Sequence, residues 1–234
     1  MRYYTQLKFT TTKERVFLIF AKIDFINLLP FYVYIKRNLQ STQQKQAITY
    51  HKSYPSVINK KFQNKTIDGA FISSIKSQNC KCSNIGIVAK KEVLSVLSIH
   101  GEYKKDMQSD TSNILAKVLK TEGEVLIGDK ALIYYFENTD QNYTDLAKKW
   151  NDTYQLPFVF AMLCFNKDDK NFLKVCNNFV NTKVKIPQYI LKQYTKRSGL
   201  SQKQILFYLS KISYKIDYKE KRALKKFFKL TKDI

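Results

Sequence analysis

The side chains in this 234-residue chain whose types and spacing suit chemistry are nearly all neutral. Asn27, Ser53, Ser73 and Ser74, and Ser109, Thr111 and Ser112 stand where apolar runs end or begin, and Ser95 sits inside an apolar run. An amide both donates and accepts hydrogen bonds but cannot take a full charge, and a hydroxyl does the same. A pocket built from them is polar, neutral and rich in hydroxyls, with few acids or bases at hand. Several have a plainer reading. Asn is common in turns, and Ser73, Ser109 and Ser112 are ordinary helix N-caps. Ser95 is harder to dismiss, because a buried hydroxyl needs a partner. Asp129, directly after Gly128, reads as a helix cap or a bridge to hinge backbone, with proton transfer the less favoured role. Asp24 is a poorer acid–base candidate, and His51 and His100 match no motif.

The elements that must position these residues follow from the apolar pattern. Residues 16–21 form a short β-branched and aromatic run, and Pro30 falls at the start of the next apolar segment, so the order is strand, turn, helix. In open α/β sheets ligands sit at the carboxyl ends of strands, which puts Asn27 at a ligand mouth. A helix over residues 29–36, a Gln-rich linker at 38–46 and a strand at 47–51 come next. Ser53-Tyr54-Pro55-Ser56 opens a helix carrying Val57, Ile58 and Phe62. Residues 67–72 read as a third strand ending in Ser73-Ser74, followed by β-like runs at 85–89 and 93–100. In the second half Ser109–Ser112 caps a helix, 124–127 is a short strand, and Gly128-Asp129 opens another helix. A helix at 145–150, a long buried strand at 156–165 and an amphipathic stretch at 168–182 follow. Three more helices begin at Pro187, Ser201 and Tyr218. Strands alternating with helices across two halves predict two α/β lobes. The first is expected to hold residues 14–97 plus 197–234 and the second 98–196, behind an extension at 1–13.

Composition narrows the partners. Hydrophobic residues make up 44% of the chain, with 16 Tyr and 16 Phe, which is a folded composition. The formal charge is +22, but it comes from Lys spread along the chain, with Arg only at 2, 15, 37, 197 and 222. Nucleic-acid readers concentrate Arg forks on one element, so nucleic acid is not the expected partner; the field draws in small anions instead. No apolar span is long enough for a membrane helix, and Lys22 and Asp24 cut residues 16–21 too short for a signal peptide, so a cytoplasmic location is expected. Cys80 and Cys82 are too closely spaced for a structural zinc knuckle, and Cys164 and Cys176 lie in apolar segments as small hydrophobes, so four plain thiols are expected.

Seven segments occur together in a recognisable order. They are Lys22-Ile-Asp-Phe-Ile-Asn-Leu-Leu-Pro-Phe31, Ser53-Tyr-Pro-Ser56, Asp68-Gly-Ala-Phe-Ile-Ser-Ser74, Leu94-Ser-Val-Leu97, Ser109-Asp-Thr-Ser112, Ile127-Gly-Asp-Lys-Ala-Leu132 and Leu156-Pro-Phe-Val-Phe-Ala161. In this order and spacing they resemble the chorismate dehydratases of the futalosine route to menaquinone, over residues 16–231. The resemblance implies a type II periplasmic-binding-protein-like fold, two α/β lobes round a central cleft, and no metal or organic cofactor. It implies loss of water from chorismate to give 3-[(1-carboxyvinyl)oxy]benzoate. Asn27 and Ser95 are then the expected catalytic residues, with Ser53, Ser73, Ser74, Ser109, Thr111 and Ser112 binding the dianionic substrate. No His or Glu lies in these motifs, so a substrate carboxylate acting as its own base is one account of the proton transfer. The chain departs from the family pattern at Ala21 and Lys76. A homodimer is left open. The competing readings are a non-catalytic binder of a small carboxylate and a later enzyme of the same route with the same fold.

Overall fold

The computed structural model describes residues 18–39, 49–138, 140, 142–167 and 169–234; the expected extension at 1–13 and most of the linker at 38–46 lie outside them. The strands are β1 (Ile19–Lys22), β2 (Thr49–Lys52), β3 (Gly69–Ser73), β4 (Cys82–Ala89), β5 (Val96–Ile99), β6 (Glu124–Ile127), β7 (Tyr143–Asp145), β8 (Phe158–Phe165) and β9 (Ile212–Lys215). The helices are α1 (Leu29–Asn38), α2 (Pro55–Gln63), α3 (Asp110–Val118), α4 (Gly128–Glu137), α5 (Leu146–Tyr154), α6 (Lys170–Phe179), α7 (Gln188–Ser198), α8 (Gln202–Ser210) and α9 (Tyr218–Leu230).

Six strands form one sheet in the order β2-β1-β3-β8-β4-β9, and β6-β5-β7 form a second. In the first, β1 runs parallel to β2 and β3, whereas β8 is antiparallel to both β3 and β4. The second is wholly antiparallel about β5. The chain therefore crosses from the first lobe to the second between β4 and β5 and returns between α5 and β8. The first crossing borders the space between the sheets at Val93 and Ser95.

The second lobe is shorter than its expected span of 98–196. The strand expected within it, β8, lies in the middle of the first sheet, with Gly69 to Ser73 opposite Phe165 to Ala161 on one side and β4 on the other. The reason is in its composition. A run as apolar as Phe-Val-Phe-Ala-Met-Leu-Cys-Phe is buried at seven of eight positions, and only an interior strand of the larger sheet covers both of its faces. α6 follows it back onto the first lobe. There Phe20, Phe31, Phe165, Phe172 and Phe179 pack at tilted and edge-to-face angles with centroids 5.3–6.1 Å apart.

Local signals account for several boundaries. Pro30 and Pro55 occupy the first turns of α1 and α2, where a missing N–H costs nothing. Tyr54, not Ser53, is the N-cap of α2, and no side chain caps it. Asp145 caps α5, and Ser201 with Gln204 and Asp217 with Glu220 form capping boxes on α8 and α9. The thiol expectation changes at two positions. Cys82 and Cys164 face each other across β4 and β8 and form a disulfide, while Cys80 and Cys176 are free. A pairing between strands 82 residues apart cannot be read from local spacing.

Candidate active site

Asn27 lies in a single 3-10 turn, Ile26–Leu28, between β1 and α1. Its backbone is held from both lobes' sides. The Ile26 N–H donates to Asp129 Oδ1 at 3.2 Å, and the Tyr214 hydroxyl donates to the Asn27 carbonyl at 2.5 Å. The side chain is 9% exposed, and its Oδ1 is buried with no hydrogen-bond partner. A buried acceptor left unpaired is costly, so this oxygen marks a place where a donor belongs.

Ser95 stands at the first crossing between lobes and is 1% exposed. Leu94 before it adopts a left-handed backbone, with φ +61°, which an ordinary side chain takes only when its surroundings impose it. The buried Asp145 carboxylate imposes it, accepting the Val93 and Leu94 N–H groups at 2.9 and 2.7 Å. Its other oxygen accepts from Ala147 and Lys148 at the start of α5. Burial pushes the Asp145 carboxyl above the usual carboxylate range, against the pull of the four N–H donors. Beyond Ser95, the Gly128 N–H donates to the Ser95 carbonyl at 2.8 Å, and the Tyr208 hydroxyl lies 2.8 Å from Ser95 Oγ.

One cleft brings Asn27, Ser95, Ser73, Ser109 and Ser112 together. Ser109 caps α3: its Oγ accepts the Ser112 N–H at 3.1 Å and lies 2.8 Å from Ser112 Oγ. The N-terminal end of α3 thus faces the cleft with its positive dipole end. Asn59 joins this end to the first lobe. Its Nδ2 donates to Ser73 Oγ at 2.8 Å and to Asp110 Oδ2 at 3.1 Å, and its Oδ1 accepts the Ser73 N–H.

The other sequence candidates lie elsewhere. Ser74 is fully buried and donates to the Val159 carbonyl at 2.5 Å. Thr111 accepts the Ile75 N–H. Ser53 donates its backbone N–H to the Lys22 carbonyl. None of these three lines the cleft, because scaffold groups claim Ser74 and Thr111 and α2 starts one residue after Ser53 would have capped it.

The remaining walls are apolar, including Phe25, Phe71, Val93, Ile127 and Phe160, and among the described residues no charged side chain lines them. The free volume enclosed between these walls is about 60 Å³. Gly128 shapes one side. It has φ +63°, and a Cβ there would lie 2.8 Å from the Phe25 ring, so the wall closes only with glycine.

Charge gathers behind the cleft instead. Arg197, on α7, reaches Asp24 at 3.1 Å and Asp129 at 2.8 Å, and Lys22 and Lys52 also pair with Asp24. The Tyr194 hydroxyl donates to the same Asp24 carboxylate. Burial acts to raise the Asp24 pKa, but the Lys22 and Arg197 charges and the lysine hydrogen bonds prevail and lower it to about 2. At Asp129 burial prevails over the Ile26 N–H and Arg197, and the pKa is raised. Both Asp129 oxygens are engaged in joining the lobes, one to Ile26 and one to Arg197.

Sequence reasoning missed Asn59, Tyr208 and Arg197. Asn59 carried a local signal, an amide next to Ile58 on the buried face of α2. Tyr208 and Arg197 carried none, since each meets its partners across more than 65 residues of chain. Among the described residues no group of His, Cys, Asp and Glu is arranged to hold a metal ion, and no helix is long and apolar enough to cross a membrane.

Comparison with known proteins places this geometry in context. Residues 100–233 match the family model for menaquinone biosynthesis. A chorismate dehydratase of Campylobacter jejuni is 44% identical over 219 residues, covering 92% of this chain and 98% of that protein. A solved protein of Archaeoglobus fulgidus superposes with a TM-score of 0.63 at 14% identity, over 92% of this chain and 97% of its own. A Candida albicans protein with the generic periplasmic-binding-protein fold gives 0.52 at 12% identity, over 93% and 90%. At such identities the two structures speak for the fold alone.

Proposed function

The chain belongs to the chorismate dehydratase family of menaquinone biosynthesis, and from that membership we propose that its inter-lobe cleft converts chorismate to 3-[(1-carboxyvinyl)oxy]benzoate and water. The observation that carries the reading is the unpaired, buried Oδ1 of Asn27, set in one cleft with Ser95 and three further hydroxyl-bearing residues. Chorismate brings what such a cleft lacks. It supplies a ring hydroxyl to donate to the orphan oxygen, carboxylates for the serine hydroxyls and the α3 terminus, and an apolar ring face for the phenylalanines.

In the reaction the C–H bond at the carbon bearing the enolpyruvyl ether breaks, and so does the C–O bond of the neighbouring hydroxyl. The electron pair left behind completes the aromatic ring, and the proton and hydroxide leave as water. Aromatisation supplies the driving force, so the protein's task is to orient the substrate and stabilise moving charge. Asn27 orients the departing hydroxyl, and Ser95 donates to that hydroxyl or to the enolpyruvyl carboxylate. Ser73, Ser109 and Ser112 hold the remaining negative charge. Among the described residues lining the cleft no side chain can serve as a base near neutral pH. Asp129 is held by Ile26 and Arg197, so a substrate carboxylate is assigned the proton. Purified protein incubated with chorismate tests this: the diene absorbance should fall as the benzoate appears. Chorismate bound but recovered unchanged would make the protein a binder of carboxylates instead.

A further inference from the structure

We propose that Tyr208 is a positioning residue for this chemistry, setting the direction in which Ser95 presents its hydroxyl. The inference rests on the dehydratase reading above. Tyr208 is supplied by α8, far along the chain from Ser95, and is almost completely buried. It does not line the cleft. Burying a phenol hydroxyl costs free energy unless it finds a partner, and its partner here is not a scaffold group. The hydrogen bond it makes goes to the Ser95 hydroxyl, 2.8 Å away.

The proton count fixes the directions. A phenol has one proton to give and lone pairs to accept with. The phenol proton goes to Ser95 Oγ. Ser95 then has its own proton free to donate into the cleft. Burial pushes the Tyr208 phenol above its ordinary value, so it keeps its proton, and with it this arrangement, throughout the working pH range.

The test is Tyr208→Phe, which removes one oxygen and keeps the ring, with steady-state turnover of chorismate and thermal unfolding measured together. Loss of Ser95 orientation should lower kcat by about ten- to a hundredfold with KM changed less than about threefold. In a Ser95→Ala background the same substitution should have no further effect on kcat, because there is no hydroxyl left to aim. A role confined to stability would lower the unfolding temperature and leave kcat alone, or slow both backgrounds equally; either result overturns the proposal. If the single variant does not fold, the double variant still decides. It removes both partners of the buried hydrogen bond, and its kcat should equal that of Ser95→Ala; a further loss of fivefold or more overturns the inference. Failure of the wild-type chain to convert chorismate would instead overturn the function on which it rests.

Discussion

Two side chains carry the central argument at the scale of the residue, and both announced themselves in sequence for physical reasons. Asn27 follows a strand at the place where α/β sheets open to ligands, and Ser95 interrupts an apolar run in which a hydroxyl needs a partner. Ser74 and Thr111 looked equivalent and are not, because a hydroxyl's local spacing does not tell which carbonyl or N–H will claim it. Two outcomes separate charge from shape at this scale. Asn27→Asp should be slower than Asn27→Ala, since it sets a negative charge beside a dianion. Like charges about 4 Å apart at an intermediate dielectric repel by about 4 kcal/mol, a large loss in kcat/KM. Ser95→Ala should lower kcat/KM by about 10- to 150-fold, the worth of one hydrogen bond to a charged group at about 1.5–3 kcal/mol, while circular dichroism stays unchanged.

At the scale of the element, the positions of these side chains depend on how the chain crosses between sheets. The Asp145 carboxylate at the start of α5 gathers two N–H groups from the crossing segment and two from its own helix. Asp145→Ala would strand the Val93 and Leu94 donors in a buried site. At about 1–3 kcal/mol for each unpaired buried group, urea unfolding should show a loss of about 2–6 kcal/mol, and activity should fall with it as Leu94 relaxes and Ser95 turns away. Gly128→Ala should be harmful for a different reason, because its Cβ meets the Phe25 ring and its φ is left-handed. The expected result is weaker binding of the benzoate product, measured by calorimetry. Strand and helix identities were largely legible from apolar runs and caps. The membership of β8 was not, since its sequence says only that both faces are buried, and two sheets competed to bury it. β7 and β9, three and four residues long, owe their existence to neighbours supplied by distant segments.

Across the whole molecule, the two lobes are joined by two backbone crossings and by the ionic cluster of Asp24, Asp129 and Arg197 behind the cleft. The Trp150–Phe158–Phe227 contacts pack α5 of the second lobe against β8 and α9 of the first. The ionic cluster has a pH signature. The Asp24 pKa is lowered from 3.8 to about 2 in the fold, so its contribution to stability is present above pH 3.8 and is lost as pH falls towards 2. Asp24→Asn should therefore flatten the acid side of the urea midpoint between about pH 5 and pH 2. An unchanged acid slope would show that the cluster does not act through Asp24. The most direct test of the account is the fate of chorismate itself, followed by chromatography with the wild-type chain and with Asn27→Ala. The account predicts stoichiometric conversion to 3-[(1-carboxyvinyl)oxy]benzoate by the wild type and a rate lower by at least tenfold in the variant. Chorismate returned intact from the wild type, or an Asn27→Ala protein as fast as the wild type, would contradict it.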